Sequence, residues 1–165
     1  MLENDAIILI PIDIEMIDTL LISNKAFFDK YGYQNDGGEY LVPDKKYLLK
    51  IKDRMLHHPE EYPLAVDYLI ILKDIKTIIG SIYFKSLPID GECEIGYGTN
   101  VKYRGNGYMS ITLSMMLEYG KENGIRSVIA DTKIDNIKSQ NVLLRNGFKE
   151  INRNESFIYY RKELL

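Results

Sequence analysis

The chain has 165 residues, 45% of them hydrophobic and 27% charged, with 21 basic against 24 acidic side chains and a formal net charge of −3. That length suits one domain spanning residues 1–165, and the composition excludes long disorder. The sign of the charge excludes a protein that lives on nucleic-acid phosphates and mildly favours a cationic partner.

The one cysteine, Cys93, rules out an internal disulfide and a Cys-x-x-Cys metal clip, and it suits a reducing cytoplasm. No metal site is expected. The N-terminus lacks a positively charged leader, and Asp13 interrupts the apolar run over 6–12 before it reaches spanning length. Neither a signal peptide nor a membrane helix is expected.

Residues 6–12 are β-branched and apolar and end near Pro11, so they predict a strand. Asp13 reads as an N-cap, and apolar residues recurring at three and four positions from Ile14 to Phe28 predict one helix over 13–30. The stretch 31–40 is rich in turn formers and reads as a loop, with Tyr31, Tyr33 and Tyr40 available to line a substrate mouth. Pro43 and Asp44 restart a helix that runs through Met55 and stops near His57, His58 and Pro59.

Two β-rich runs, 64–72 and 77–84, flank a polar turn and predict an antiparallel hairpin. A third strand over 92–99 continues them as a meander. Beyond it, Ile111, Leu113, Met115, Met116, Leu117 and Tyr119 give a helix closed by Gly120 or by Asn123-Gly124. Residues 127–131 predict a strand, Asn136 caps a helix that ends before Gly147, and a hairpin carrying Ile151 and Phe157 to Tyr160 finishes the chain.

The run Glu94-Ile95-Gly96-Tyr97-Gly98-Thr99, followed by Asn100-Val101-Lys102-Tyr103-Arg104-Gly105-Asn106-Gly107-Tyr108-Met109, joins a strand, a glycine turn and a helix start. Glycine lets a backbone approach a ligand closely, and the free N–H groups opening a helix carry partial positive charge. A phosphate-bearing ligand is the first expectation, although a plain strand-to-helix connection accounts for the same residues. No Gly-Lys-Ser/Thr follows, so this is not a P-loop, and the third glycine of a dinucleotide fingerprint is missing.

The turn Arg104-Gly105-Asn106-Gly107-Tyr108-Met109, followed by Asn136-x-x-Ser139 and Gly147-Phe148, resembles the GNAT superfamily of acetyl-CoA-dependent N-acetyltransferases, in its Rim-type branch of ribosomal-protein N-terminal acetyltransferases. The resemblance covers most of the chain. It implies an α+β fold: a mostly antiparallel twisted sheet of about seven strands flanked by about four helices. It implies direct transfer of the acetyl group of acetyl-CoA to a primary amine, on a peptide N-terminus or a small molecule, and it implies a homodimer. Gly98, Thr99, Val101, Arg104, Gly105, Asn106, Gly107, Tyr108, Met109 and Asn136 are the implied cofactor-binding residues, with Glu94 and Ser139 as the implied catalytic pair. A non-catalytic acetyl-CoA-binding regulatory domain is the alternative.

Two departures stand out. Met109 occupies a position that the family usually gives to glycine or alanine, so it either crowds the loop or turns into the core. Leu143 stands where many members carry a tyrosine acid, which leaves the proton donor open.

Each candidate also has a plain structural role. Strand alternation puts Glu92, Glu94, Gly96 and Gly98 on one face, and either glutamate can be a solvated strand acid. Asn136 is by default a helix cap, and Ser139 a first-turn polar residue. His57 and His58 sit at a helix end, where free carbonyls explain them better than a metal. Cys93, flanked by acids, is a poor thiolate candidate and reads as strand packing.

Overall fold

The computed structural model describes residues 1–34 and 44–165. Its elements in order are β1 (Leu2–Glu3), β2 (Ile7–Pro11), α1 (Ile14–Ile22), α2 (Asn24–Tyr31), α3 (Lys45–His57), β3 (Tyr68–Leu72), β4 (Thr77–Phe84), β5 (Glu92–Thr99), α4 (Tyr108–Glu122), β6 (Ser127–Lys133), α5 (Ile137–Arg145), β7 (Lys149–Arg153) and β8 (Phe157–Glu163). The strands form one sheet in the order β1-β2-β3-β4-β5-β6-β8-β7, antiparallel at every junction except the parallel pair β5 and β6.

Helices cover both faces. On one, Leu113, Met116 and Leu117 of α4 and Leu143 of α5 bury Ile82, Phe84, Cys93, Ile95, Val128 and Ala130. On the other, Ile17 and Leu20 of α1, Phe27 of α2, and Leu48 and Ile51 of α3 cover Leu69, Ile71 and Ile78. Cys93 and Ile95 are nearly inaccessible while Glu92 and Glu94 are half-buried, as the alternation predicts.

The differences from the sequence reading have local causes. The helix expected over 13–30 is two helices. Ser23 breaks it in extended geometry: its Oγ accepts from Ala26 N–H at 3.0 Å and opens α2, while its own N–H closes α1 on the Thr19 carbonyl. A serine that offers the backbone an alternative partner ends a helix where apolar periodicity alone would carry it on. The five α-helices among the described residues, against the four expected, follow from this break. The eighth strand is β1, two residues paired with Ile8 and Leu9 and too short to show alternation.

The strand expected over 64–72 starts only at Tyr68, because a 3₁₀ turn at Pro59–Glu61 and a following turn take up the chain before it. β6 runs two residues longer than expected, to Lys133, because Thr132 and Lys133 still pair with β8. Asp44 caps α3 by accepting from Tyr47 N–H at 2.9 Å; Pro43 and Tyr40 lie outside the described residues. Tyr31 and Tyr33 pack around the Phe27 ring, at 4.8 and 6.2 Å between centroids, and so serve the core of the α1–α3 face.

Candidate functional site

β5 and β6 pair only at Glu92–Ser127, Cys93–Val128 and Glu94–Ile129, yet β5 continues to Thr99 and β6 to Lys133. The two strands therefore part. Residues 95–99 keep β4 partners on one edge and turn an edge without strand partners toward the opening. Such an edge presents main-chain N–H and C=O groups to whatever extended, amide-bearing ligand enters.

A cavity of about 360 Å³ occupies the opening, bounded by the end of β5, the turn before α4 and the first turns of α5. α4 begins at Gly107, whose φ of 81° is left-handed and which supplies no side-chain cap. The first N–H groups of a fifteen-residue helix are thus left toward the cavity, an arrangement that favours anions. Gly105 has the same geometry at φ 83°, and a Cβ built on either glycine meets nothing within 4 Å. Backbone conformation, not crowding by the protein, makes glycine necessary there, and the space above the turn is open.

The charge of the cavity opposes that of the chain. Arg104, Lys138 and Arg145 line it, and among the described lining residues none is acidic. Lys138, Asn141 or Val142, and Arg145 recur at helical spacing on one side of α5, a signal that the sequence carries and that the sequence reading missed. Arg104 also donates through Nε to the Thr99 carbonyl at 2.9 Å, tying the turn to the end of β5.

Gly98, Thr99, Arg104, Gly105, Gly107, Tyr108, Met109, Asn136 and Ser139 all border this cavity. Val101 and Asn106 do not. Val101 projects into solvent from a one-turn 3₁₀ helix, and Asn106 braces the turn by donating to the carbonyls of Tyr103 and Arg104 at 3.3 and 3.4 Å. Met109 is only 8% exposed and belongs to the α4 core, so its side chain leaves the loop uncrowded.

Asn136 caps α5 by accepting from Ser139 N–H at 3.2 Å, which fixes Ser139 in the first turn. The Ser139 Oγ then lies 3.0 Å from the Tyr97 hydroxyl. Burial pushes that phenol up to about 12, while the Ser139 bond pulls it down and Tyr160 pushes it up. It therefore keeps its proton at neutral pH and is available as a donor. Leu143 is fully buried in the core and takes no part in the site. Tyr97 escaped the sequence reading because alternation puts it on the same side as Cys93 and Ile95, where an aromatic reads as packing.

Glu94 lies on the opposite face of β5, at the last paired position before the strands part, and does not border the cavity. It is ion-paired with Lys85, whose ammonium also stands 3.5 Å from Asp131 on β6. Burial draws the Lys85 ammonium down, but its bond to Glu94 and the charges of Glu94 and Asp131 outweigh this and hold it above the ordinary lysine range. Beside this cluster the Tyr83 ring covers Gly96, where a Cβ would come within 2.7 Å of the ring. Glu92 is held by Ser127 Oγ at 2.9 Å and by Arg161 at 3.1 Å.

His57 Nδ1 lies 2.8 Å from the Asp53 carbonyl at the exposed end of α3, and no cluster of three or more metal-ligating side chains occurs among the described residues. The Cys93 thiol is pushed up to about 11, by burial first and by Glu92 second, which suits packing and not nucleophilic attack.

The profile of the Acetyltransferase (GNAT) domain matches residues 7–149, from β2 to the start of β7. The chain belongs to the GNAT acetyltransferase family. This GNAT chain is 34% identical over 86 residues to the uncharacterized N-acetyltransferase YnaD of Bacillus subtilis (strain 168), covering 52% of the chain and 51% of YnaD. It is 29% identical over 100 residues to the ribosomal-protein-serine acetyltransferase of Escherichia coli (strain K12), covering 59% of the chain and 54% of that enzyme. The GNAT chain thus spans about half the length of the curated relatives it matches. Its fold matches that of RimL, a ribosomal L7/L12 α-N-protein acetyltransferase solved in complex with coenzyme A, with a TM-score of 0.70 at 22% identity over 97% of this chain and 95% of that one. No helix among the described residues is long and apolar enough to cross a membrane.

Proposed function

We propose that this GNAT chain is an acetyl-CoA-dependent N-acetyltransferase that passes the acetyl group directly to a primary amine on a peptide N-terminus or a small molecule. The observation that carries the reading is the cavity between β5 and α5: three cations, no acid among its described lining residues, and an uncapped helix start, all in a chain of net charge −3. Such a site takes a polyphosphate, and the free edge of β5 beside it suits the amide-bearing arm of coenzyme A.

In this reading the N–H groups opening α4 hold the pyrophosphate, with Arg104, Lys138 and Arg145 on the remaining phosphate charge. Acetyl-CoA supplies the acetyl group as a thioester. Main-chain N–H groups of residues 96–99 are the fixed donors for negative charge that develops on the thioester oxygen. Glu94, at the apex where the strands part, takes the proton of the incoming amine once that amine displaces Lys85. An α-amine, with a pKa of about 7.7–8.0, needs little of this help, and a lysine at about 10.4 needs much more. The Tyr97–Ser139 pair returns a proton to the departing thiolate, the role that Leu143 cannot fill. A homodimer and a cytoplasmic setting accompany the reading, from the family resemblance and the lone buried thiol respectively.

The test is release of free thiol from acetyl-CoA in the presence of a panel of amines and peptide N-termini. Acceptor-dependent release with acetylated product supports transfer; binding of acetyl-CoA with no acceptor-dependent release on any amine would return the chain to a regulatory, non-catalytic role.

A further inference from the structure

A second cavity, of about 220 Å³, opens on the sheet face opposite the first, between α3 and the ends of β3 and β4. Ile51, Met55 and Ala65 supply its apolar lining, Val66 and Phe84 border it while their side chains belong to the core under α4, and Asp67 is set among these groups. The Asp67 backbone is fixed, its carbonyl accepting from Ile12 N–H at 2.8 Å. The Tyr47 hydroxyl reaches both carboxylate oxygens at 3.2 Å. One hydroxyl supplies one proton, whereas a carboxylate accepts about four hydrogen bonds, so Asp67 keeps accepting capacity toward the cavity.

Two of the three cations that line it have carboxylate partners of their own, and Lys85 keeps Asp131 when an amine takes Glu94. Arg54 is ion-paired with Glu61 and donates to the Lys85 carbonyl at 3.1 Å, and the Lys85 ammonium is engaged by Glu94 and Asp131. Lys50 lies exposed on α3. A partly apolar cavity holding a carboxylate with accepting capacity to spare suits an aliphatic arm ending in an ammonium.

The cavity also neighbours the reacting centre of the proposed function. Tyr68 pairs with Ile82 and Tyr83 with Gly96, so Asp67, Tyr83 and Gly96 lie in successive strands along one line across the sheet. At about 4.8 Å per strand, Asp67 stands about 10 Å from Gly96, and about 12 Å from Glu94, two residues further along β5. Alternation puts the Asp67 and Glu94 side chains on the same face of the sheet, so one aliphatic chain with an ammonium at each end can span the two carboxylates.

We propose that the Asp67 cavity is an acceptor subsite that takes a second cationic group, an ammonium on a short aliphatic arm, while the first amine of the same molecule meets Glu94. This rests on the amine-transfer reading above and narrows its acceptor class to molecules with two cationic groups a few methylenes apart. Burial lifts the Asp67 carboxyl to about 6, against the opposing pull of its bond to Tyr47 and the charge of Arg54. The subsite therefore holds a cation at neutral pH and releases it in mild acid. Tyr47, Lys50 and Arg54 on α3, Glu61 on the 3₁₀ turn, and Tyr83 and Lys85 on β4 are the other titratable groups facing the cavity.

The test compares kcat/KM for α,ω-diamines of three to eight methylenes with that for monoalkylamines of equal length, in the wild-type protein and in Asp67→Asn. The expected result is a preference for diamines of roughly ten- to hundredfold, the scale of one charge-assisted hydrogen bond. It should peak at one chain length within the series, fall as pH drops through about 6, and collapse toward unity in Asp67→Asn. If the variant does not fold, the pH dependence of the wild-type ratio decides. Equal use of monoamines and diamines, or a preference that survives in Asp67→Asn or is flat with pH, would overturn the subsite and leave amine transfer standing. No turnover of any amine would overturn the transfer reading itself, and the subsite with it.

Discussion

The Tyr97 hydroxyl lies 3.0 Å from the Ser139 Oγ and joins the free end of β5 to the first turn of α5 across the opening between β5 and β6. If this pair returns the proton to the thiolate, Tyr97→Phe and Ser139→Ala each lower kcat by about ten- to hundredfold and leave acetyl-CoA affinity near the wild-type value. The double variant should be little worse than either single one, because the two act as a unit. Full turnover in Tyr97→Phe would remove the pair from the chemistry.

Glu94 is expected to matter in a different way. Glu94→Gln should reduce turnover most steeply at low pH, where less of the amine is already free, with acetyl-CoA binding unchanged. Lys85→Met should lower KM for the acceptor, because it removes the ammonium that occupies Glu94 and Asp131. Wild-type turnover in Glu94→Gln would leave that carboxylate as a structural partner of Lys85 alone.

Gly107 is held at φ 81° with open space above it. Gly107→Val should cost about 1–2 kcal/mol of stability from left-handed backbone strain, and should weaken acetyl-CoA binding far more than that strain explains, since the branched side chain occupies the phosphate position. Thermal melting separates the two effects: a melting loss with normal affinity would refute the phosphate assignment.

Lys138 and Arg145 line the same cavity from one side of α5. Lys138→Ala and Arg145→Ala are each expected to weaken acetyl-CoA binding severalfold and to flatten its dependence on salt, because each removes a charge facing the phosphates. Calorimetric titrations at two salt concentrations check this.

Asp67 also predicts a stability effect with a defined sign. Its folded-state value of about 6 lies above the ordinary 3.8, so the folded state binds the proton more tightly than the unfolded one. That contribution is fully present below about 3.8 and is lost as pH rises through about 6. Two pH units correspond to about 2–3 kcal/mol. Asp67→Asn, which keeps a partner for Tyr47, should therefore gain on the wild type in melting temperature between pH 4 and pH 8. A constant difference across that range would mean that the carboxyl is not desolvated.

The sheet was largely readable from local pattern: β4 and β5 fall where β-branched runs and alternation put them, and α4 and α5 where apolar periodicity and Asn136 do. What escaped depends on contacts between distant segments. The break at Ser23 turns on one side-chain hydrogen bond, and β1 exists only because β2 offers it an edge. At the site, glycine spacing and resemblance pointed to the turn before α4. The Tyr97–Ser139 bond, the Lys85 contacts with Glu94 and Asp131, and the Asp67 cavity bring together residues that sequence spacing does not relate. Met109 shows the reverse case, a departure in the motif made harmless by a core that takes its side chain.

The central claim is that the cavity between β5 and α5 binds acetyl-CoA for transfer. Calorimetric titration of the wild-type protein with acetyl-CoA tests it most directly: the account predicts saturable one-to-one binding, weakened in Gly107→Val and in Arg145→Ala. Absence of binding in the wild type, or affinity unaltered in both variants, would contradict it.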